Sequence, residues 1–383
     1  MKILHIGKYL PPFVKGGIES YTYDLVKSLS RKVDFHIIVS NTKFESATKN
    51  LDGIKVYFLP RIGSLLEAPI NTSPYSIISK IKPDIIHFHM PNPFMEFYLL
   101  FYFVLFGKKT KFVITYHADA PHYSIIDVIA DFARLFFARL LLGYADKIII
   151  TSENYRLGSK ILKNVYKKKI VVIPLGVDTN LKAGSVEELK KRYGLKNEKI
   201  VLFVGRLFPY KGLEYALKAM KIVVKEFPDT RFVIFGYGEL MNKLKKLSDK
   251  LGLRKKVLFT GTLPDLERNT FYKMCDIFIL PSINRGEAFG VSMLEAMTFS
   301  RPIVSTDIKF SGVNFVNINN KTGFVVKIKD EKQLAEAIIK LLSNEELRKR
   351  FGREARKRVL KYFDKMLMSE RTYEIYKYLL QNK

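Results

Sequence analysis

The sequence predicts an α/β protein of two doubly wound domains, each a parallel sheet with helices on both faces. Three observations support this fold class. Apolar strands such as DFHIIVS and RFVIFGYGE alternate with amphipathic helices. The strands are apolar over nearly their whole length, which is typical of strands that are covered on both faces. With 383 residues, the chain is longer than one hydrophobic core normally supports, so we expect two domains.

The first domain is expected to span residues 1–180. Met1 to Gly7 predicts a strand, which is followed by a Pro-rich loop, the pair Gly16 and Gly17, and an amphipathic helix. The glycines permit a tight turn, or they let a ligand phosphate approach the backbone closely. The further strands of this domain are DFHIIVS, KVYFLP, DIIHFHM, KFVITYH and KIIITS.

The second domain is expected to span residues 181–363. The polar stretch Asp178 to Lys196 is interpreted as a linker and a first helix, and two amphipathic helices rich in charge pairs end the domain. One more helix is predicted for residues 364–383. The strands lie in KIVLFVGRLFPYKG, RFVIFGYGE, VLFTGTL, IFILPS and RPIVST.

The stretch Pro281 to Phe299 joins an apolar strand to the helix VSMLEAM. Backbone N–H groups at the start of such a helix lie beside the carboxyl edge of the sheet, where anionic ligands bind. Glu287 lies in the turn, and Glu295 lies one helical turn beyond Val291 on the same side. Carboxylates accept hydrogen bonds from hydroxyl groups but do not favour binding of phosphate, which is also an anion. Together these features indicate a ligand that carries both phosphates and hydroxyls.

A second strand-to-helix turn carries Gly205, Arg206 and Lys211. A guanidinium is a planar donor fork and an ammonium is a point charge, so the pair can bind a diphosphate. Charged residues are also common in surface loops, which is the competing interpretation. Gly236, in GYGE, follows the next strand, where a missing side chain suits a close backbone approach.

Among the histidines, His117 ends the strand FVITYH and is therefore expected at the carboxyl edge of the sheet, where ligands bind. It is a better candidate for chemistry than His36, which lies inside its strand. His87 and His89 alternate along one strand, so a metal pair is conceivable, but no third ligand accompanies them in the sequence. We favour packing or loop hydrogen bonding for both, and we expect no metal site.

The formal net charge of +28 also needs an explanation. Lys and Arg are scattered at helix-surface spacing without a recognisable binding motif, so we expect no nucleic-acid partner. Attraction to an anionic membrane and a merely Lys-rich solvated surface both remain open. The segments PFMEFYLLFYFVLFGKK and IADFARLFFARLLLGYAD are either helices that cover the sheet or a face that rests among lipid headgroups.

The single cysteine, Cys275, excludes an intramolecular disulfide and lies in an apolar run that predicts a buried, inert thiol. No apolar run reaches about 18 residues, and the start of the chain lacks a cleavage signal. We therefore expect a cytoplasmic protein, with peripheral association at the inner face of the membrane as one alternative.

Four motifs, each at a strand-to-helix junction, together resemble one enzyme family. They are the loop PPxxxGGIE, the run TYHAD, the turn GRLxxxKG, and two glutamates in the pattern E-x7-E. In this order, over residues 11–300, they are similar to the family 4 retaining glycosyltransferases (glycosyl transferases group 1). The resemblance implies the GT-B fold, in which two Rossmann-like domains face each other across a cleft and a C-terminal helix crosses back onto the first domain.

The resemblance also implies residue roles. His117, Glu287, Arg206 and Lys211 would act at the reacting centre: His117 and Glu287 would contact the donor sugar, and the two cations would bind the donor phosphates. Backbone N–H groups after Glu287 would bind the diphosphate, and Glu295 would bind the ribose. The remaining donor-binding positions that it implies are Gly16, Gly17, Gly205, Gly236, Ala288, Phe289, Gly290 and Val291.

The implied activity is that of a retaining hexosyltransferase, which moves mannose or glucose from a nucleotide-diphosphate sugar to a glycan or lipid-linked acceptor. The implied mechanism is front-face displacement with neither metal nor cofactor, so no nucleophile is assigned. The alternatives are an epimerase or phosphorylase of the same fold, or a non-catalytic basic module that binds nucleic acid or membrane. The sequence does not identify the base, the sugar or the acceptor.

Overall fold

The computed structural model describes residues 1–14, 16–65, 68–119 and 125–382, with the side chains of 125–134 excepted. The chain forms two compact units, one made of residues 1–176 and 365–383 and the other of residues 177–364. The sequence analysis places the boundaries at 180/181 and 363/364, and the structure divides the chain at 176/177 and 364/365.

The first unit alternates strands and helices from its start. Its elements are β1 (Lys2–Ile6), α1 (Gly17–Leu29), β2 (Asp34–Ser40), β3 (Ala47–Leu51), β4 (Ile54–Leu59), β5 (Arg61–Leu65), β6 (Ala68–Asn71), α2 (Tyr75–Ile81), β7 (Ile85–Met90), α3 (Pro93–Phe106), β8 (Lys111–Tyr116), α4 (Ile125–Tyr144), β9 (Lys147–Ile150), α5 (Glu153–Gly158) and β10 (Ile170–Val172).

Within the described residues, eight of these strands form one sheet in the order β10-β9-β8-β7-β1-β2-β4-β3. All neighbours in it are parallel except β3 and β4, which pair antiparallel at the edge. The sequence analysis missed β3 because this edge strand is polar and mostly exposed, so it lacks the apolar run by which buried strands are recognised. The predicted strands β1, β2, β4, β7, β8 and β9 are confirmed.

The second unit repeats the alternation. Its elements are α6 (Val186–Arg192), β11 (Lys199–Val204), α7 (Leu213–Glu226), β12 (Thr230–Phe235), α8 (Met241–Lys250), β13 (Val257–Gly261), α9 (Asp265–Met274), β14 (Ile277–Leu280), α10 (Val291–Thr298), β15 (Ile303–Thr306), α11 (Val313–Val316), β16 (Gly323–Val326), α12 (Glu331–Leu342) and α13 (Glu345–Tyr362). Its strands form a parallel sheet in the order β13-β12-β11-β14-β15-β16.

The last helix, α14 (Lys365–Gln381), belongs to the first unit and packs against α1. It buries Met368, Ile375, Tyr376 and Leu379. Short 3₁₀ helices span residues 162–164, 167–169 and 209–211. Within the described residues, no helix is both long and apolar enough to cross a bilayer.

Cys275 lies at the end of α9 and is fully buried. Burial raises the pKa of its thiol to about 12. At neutral pH it is therefore an unreactive thiol, as the sequence predicts.

Candidate active site

The six-stranded sheet of the second unit has a switch point between β11 and β14. The chain adds β12 and β13 on one side of β11, and β14, β15 and β16 on the other. The connections that leave β11 and β14 therefore diverge, which opens a crevice at the carboxyl edge where ligands of doubly wound folds bind. Residues 205–212 follow β11, and residues 281–290 follow β14.

These two loops meet through a buried ion pair. The Lys211 Nζ donates to Glu287 Oε2 at 2.5 Å, and both side chains are only 9% exposed. The Ser282 hydroxyl donates to the same carboxylate oxygen at 2.9 Å. The backbone also joins the loops, because the N–H of Ile283 donates to the carbonyl of Tyr210 at 2.8 Å. Lys211 and Glu287, which belong to separate sequence motifs, thus form one ion pair.

Lys211 remains positively charged although it is buried. Burial by itself lowers the pKa of this ammonium, but the Coulombic attraction and hydrogen bond of Glu287 outweigh it, so the pKa is raised above its usual value. At neutral pH the pair is an ammonium beside a carboxylate. Its net charge is close to zero, so Lys211 presents less free positive charge to a diphosphate than the sequence analysis supposed.

Arg206, by contrast, is exposed. Its guanidinium lies 4.8 Å from the centre of the Phe208 ring, a cation–π contact that orients it. It is close enough to Lys211 for its charge to lower the pKa of that ammonium. The first turn therefore carries one paired, buried cation and one accessible cation.

Gly205 and Gly236 lie side by side at the ends of β11 and β12. The need for a glycine at position 236 is explained by packing against Gly205. A Cβ atom on Gly236 would lie 1.9 Å from the carbonyl oxygen of Gly205, and its φ is 141°. The close backbone approach expected there is thus made by a neighbouring strand. At Gly205 an added Cβ would lie 3.2 Å from the Phe203 ring and in ordinary contact with Lys211, so packing against Phe203 is the tighter constraint there.

The start of α10 is held by the residues that follow β15. The Ser311 hydroxyl donates to the carbonyl of Glu287 at 2.5 Å, and the N–H of Gly312 donates to the carbonyl of Ala288 at 2.8 Å. Gly290 precedes Val291 with a φ of 84°, where a Cβ would approach Met293 to 2.5 Å. The N–H of Met293 donates to the carbonyl of Gly290 at 2.9 Å, and the N–H groups of Val291 and Ser292 ahead of it are the ones that the start of a helix offers to an anion.

The Phe289 side chain contributes to the core rather than to the site. It is 2% exposed and lies against the rings of Phe315 and Phe363. This anchors the backbone that would contact a diphosphate.

Glu295 is bound by partners that the sequence analysis missed. Tyr272 donates its hydroxyl to the carboxylate at 2.7 Å, and Arg268 approaches it at 3.4 Å. Both partners lie on α9, four residues apart and so on one helix face. That spacing is visible in the sequence, but nothing in the sequence indicates that this face meets α10. Glu295 thus has a separate set of contacts from the Lys211–Glu287 pair.

His117 lies in the first unit, directly after β8, and is 5% exposed. Its ring makes an edge contact with Tyr21 of α1 at 4.9 Å. Gly16 and Gly17 form the start of that same helix, so they share the carboxyl edge of this sheet. Burial lowers the pKa of His117 to about 3, so the imidazole is neutral at pH 7. The carboxylate of nearby Asp119 accepts hydrogen bonds from Tyr116 and Ser159.

His87 and His89 belong to a larger buried cluster. His5 of β1 pairs in register with His87, and ring nitrogens of the two and of His89 lie within 4.8 Å of one another. This is the spacing of a candidate metal site, and the sequence analysis missed it because His5 is 82 residues upstream. All three rings are held by hydrogen bonds to other histidines or to Tyr376, and not by contacts with loops. This agrees in part with the expectation of packing or loop hydrogen bonding for His87 and His89.

Two family models match the chain. "Glycosyltransferase Family 4" matches residues 15–181, and "Glycosyl transferases group 1" matches residues 185–358. The chain is 28% identical to an O-antigen chain mannosyltransferase C of Escherichia coli over 387 aligned positions, which cover all of both chains.

Solved structures show the same architecture. A sucrose-phosphate synthase from Thermosynechococcus elongatus superposes with a TM-score of 0.81 at 20% identity, over all of both chains. Anabaena HepE in complex with UDP-glucose superposes with a TM-score of 0.76 at 20% identity, over 98% of this chain and 99% of HepE. From the matched models and the shared fold of two Rossmann-like domains, the chain belongs to the family 4 glycosyltransferases of the GT-B fold.

Proposed function

We propose that this glycosyltransferase is a retaining hexosyltransferase that moves mannose or glucose from a nucleotide-diphosphate sugar to a glycan or lipid-linked acceptor. The observation that carries the proposal is the Lys211–Glu287 pair at the switch point of the second sheet, beside the accessible Arg206 and the start of α10. Cations, a carboxylate and helix N–H groups are what a ligand with a diphosphate and sugar hydroxyls requires. The mannosyltransferase relative and the UDP-glucose complex of HepE support the sugar class.

In the proposed donor complex, Arg206 binds the phosphate closer to solvent, and Lys211 contributes one N–H while it stays paired with Glu287. Glu287 is held by Lys211 and Ser282 through one oxygen. Its second oxygen accepts a hydrogen bond from a hydroxyl of the donor sugar. Glu295, oriented by Tyr272, accepts from the ribose hydroxyls.

The proposed reaction is a front-face displacement. The bond between the anomeric carbon and the phosphate oxygen breaks, while the acceptor oxygen bonds to that carbon from the same face. The acceptor proton passes to the departing phosphate oxygen, which bears the developing negative charge. Arg206, Lys211 and the N–H groups at α10 stabilise that charge, so the proposal needs neither a metal nor a cofactor. Neutral His117 contributes a hydrogen bond to the sugar.

We further propose that the enzyme works at the inner face of a membrane. Apolar side chains on α3 and α4 are exposed at helix-face spacing: Phe97, Phe101, Val104, Leu105, Phe106 and Phe136. We call this set the α3–α4 face; Phe97 contacts Phe137 and so joins the two helices. Lys109 and Arg139 are exposed beside it, whereas Lys108 is paired with Asp146 at 2.8 Å. Apolar and cationic groups together match an anionic lipid surface, whereas nucleic acid would leave the apolar groups unused.

The side chains of 125–134 lie outside the described residues, so on α4 the face is defined by Phe136. The face is continuous along α3, because Phe97, Phe101, Val104 and Leu105 recur three and four residues apart.

A donor panel tests the proposed activity. Thermal unfolding is followed with UDP, GDP and ADP and with their mannose and glucose conjugates. One of them should stabilise the protein, by about 2.7 kcal/mol at a hundred times its dissociation constant. The preferred donor is then incubated with glycan and lipid-linked acceptors, and proton NMR of the product gives the anomeric configuration. Inversion, or turnover of the donor without transfer, would refute the proposal.

A further inference from the structure

Four imidazoles in the first unit form a continuous hydrogen-bonded row. His5 comes from β1, His87 and His89 from β7, and His117 from the end of β8. These strands are neighbours in the sheet, and alternation along β7 directs His87 and His89 to one face. Helix α14 covers that face and places Tyr376 against His5 and His87.

The contacts run from one end of the row to the other. The His117 Nε2 lies 3.2 Å from His89 Nδ1, and the His89 Nε2 lies 2.9 Å from His5 Nδ1. The His5 Nε2 lies 3.3 Å from the Tyr376 hydroxyl, which lies 2.5 Å from His87 Nδ1. The row ends where His87 Nε2 lies 2.7 Å from the Thr115 hydroxyl.

The ring planes favour true N–H···N bonds. The planes of His5 and His89 differ by 22°, and those of His89 and His117 by 25°. Nearly coplanar rings that meet edge to edge align the N–H of one with the in-plane lone pair of the next. The same lone pairs would have to point at a common centre to hold a metal ion, and here they point at each other.

The imidazoles are all neutral at pH 7. Burial lowers the pKa of His5 and of His117 to about 3, and it lowers the pKa values of His87 and His89 well below their usual value. A neutral imidazole has one donor nitrogen and one acceptor nitrogen. Each ring in the row must therefore donate on one side and accept on the other.

Three proton arrangements satisfy every contact, because a hydroxyl oxygen can accept two hydrogen bonds. In the first, His117 donates to His89, His89 to His5, His5 to Tyr376, Tyr376 to His87, and His87 to Thr115. In the second, every bond is reversed. In the third, the bonds from His117 to Tyr376 are those of the first, but Thr115 donates to His87 and His87 to Tyr376. The position of the proton on His117 is therefore tied to those on His89 and His5 in all three, and to that on His87 in the first two.

The free end of the row is the His117 Nδ1, a buried atom without a hydrogen-bond partner in the described residues. In the first arrangement this atom is an unpaired acceptor, and the Thr115 hydroxyl is left to donate to the neighbouring Tyr21 hydroxyl. In the second this atom is an unpaired N–H, and in the third the Tyr376 O–H is unpaired. Buried N–H and O–H groups without partners are rarer than unpaired acceptors. The first arrangement is thus favoured, and it leaves a lone pair available at Nδ1.

We propose that Tyr376, His5, His89, His87 and Thr115 form a tautomer relay that holds His117 with its proton on Nε2, so that Nδ1 accepts a hydrogen bond from a hydroxyl of the donor sugar. The role at the sugar rests on the proposed function of His117. The relay members are positioning residues, since they act through His117. An unprotonated Nδ1 also suits the positive charge that develops on the sugar in a front-face displacement.

The test is nitrogen-15 NMR of the full-length protein with labelled histidine, because protonated and unprotonated ring nitrogens have well-separated shifts. Wild-type His117 should show one tautomer with the proton on Nε2. Tyr376→Phe removes one hydroxyl, and the remaining row of His117, His89 and His5 then has one unpaired N–H in either direction, so the preference is lost. The shifts of His5, His89 and His117 should then move together towards the mean of the two tautomers. Thr115→Val leaves one unpaired donor in each of the three arrangements, two of which keep the His117 proton on Nε2, so it should move the His117 shifts in the same direction but less far.

Tyr378→Phe is the matched control, since it makes the same change on an exposed position of α14. It should leave every histidine shift unchanged, and His36, which lies outside the row, should stay unchanged in all variants. If the shift changes in Tyr376→Phe were confined to His5 and His87, the relay would be wrong. A His117 proton on Nδ1 in the wild type, or stoichiometric Zn²⁺ binding to His5, His87 and His89, would also overturn it.

Kinetics separate the relay from the proposed function. With the donor found in the panel, Tyr376→Phe should lower kcat roughly tenfold and leave KM for the donor unchanged, as loss of a group that orients a functional histidine does. If the shifts respond as expected but His117→Ala retains full turnover, the relay stands and the proposed role of His117 at the sugar fails. If kcat falls without any change in the His117 shifts, the relay is wrong.

Discussion

Lys211 and Glu287 are 76 residues apart in the sequence and 2.5 Å apart in the structure. A buried ion pair contributes little net stability, because desolvation of both charges offsets their attraction. Removal of one partner is costly, since it leaves the other charge buried and alone. We therefore interpret the pair as a positioning contact, rather than as a source of stability. It fixes the Glu287 carboxylate and keeps one cation at the switch point.

Substitution of either partner tests this interpretation. Lys211→Met should lower turnover by roughly 10² or more, the size expected for loss of a group that stabilises transition-state charge. Glu287→Gln should impair sugar transfer while nucleoside diphosphate binding, measured by calorimetry, is kept. Lys221→Met, on the exposed surface of α7, is the matched control. Unchanged kinetics in Lys211→Met would remove this residue from the site.

The pKa of Lys211 sets the pH range over which the pair persists. Because the folded state raises this pKa above 10.5, the contribution of the pair to stability is fully present below pH 10.5 and is lost as the pH rises through the higher folded value. Loss of activity between pH 7 and 10 would therefore have to come from another group.

The buried histidines predict acid sensitivity. Their folded pKa values lie far below 6.5, so the unfolded chain takes up protons that the folded chain does not, and stability falls as the pH drops from 6.5 towards 3. Each such imidazole contributes about 1.4 kcal/mol per pH unit within that window. The midpoint of urea unfolding should be clearly lower at pH 5 than at pH 7. Equal midpoints would mean that these rings are accessible to protons in the native state.

At the scale of elements, helix α3 shows how an apolar pattern can be ambiguous. It is apolar or aromatic all round except for Glu96, and its buried side is formed by this residue together with Met95, Leu99, Leu100 and Phe103. Such a pattern predicts a buried helix, yet one side of it remains exposed. The sequence analysis left sheet cover and lipid contact as alternatives, and the structure shows sheet cover together with the exposed α3–α4 face.

Vesicle binding tests the α3–α4 face. Phe101→Ser and Phe106→Ser should each weaken sedimentation with vesicles that contain anionic lipid, because each removes apolar area that would enter the interface. Added salt should also weaken binding, since the basic side chains act through screened attraction. Phe44→Ser, at an exposed loop position, is the matched control. Equal binding by all three variants would locate the contact elsewhere.

At the scale of the whole molecule, the chain leaves the first unit at 176/177 and returns to it at 364/365. The returning helix α14 packs on α1 and supplies Tyr376 to the histidine row. The first unit is therefore complete only when α14 has been made.

Truncation after Asp364 tests this dependence. It exposes the surface that Met368, Ile375, Tyr376 and Leu379 cover, and each such side chain contributes about 1.5–3 kcal/mol on burial. Hydrogen exchange should accelerate in residues 1–176 and stay unchanged in 177–364. Removal of 381–383 alone, where Gln381 and Asn382 are exposed, should change neither. Faster exchange in both units would show that α14 does not act on the first unit specifically.

The sequence by itself determined the strand–helix alternation, the family, and the loops in which the candidate residues lie. Buried parallel strands such as β7 are apolar throughout, and glycines and charges at their ends are visible in one dimension. Only the tertiary structure decided which of these residues meet: Lys211 with Glu287, Tyr272 with Glu295, and His5 with His89. The physical reason is that local patterns report burial and backbone conformation, whereas contacts between loops depend on the order of strands in the sheet. That order is set by packing of the whole unit.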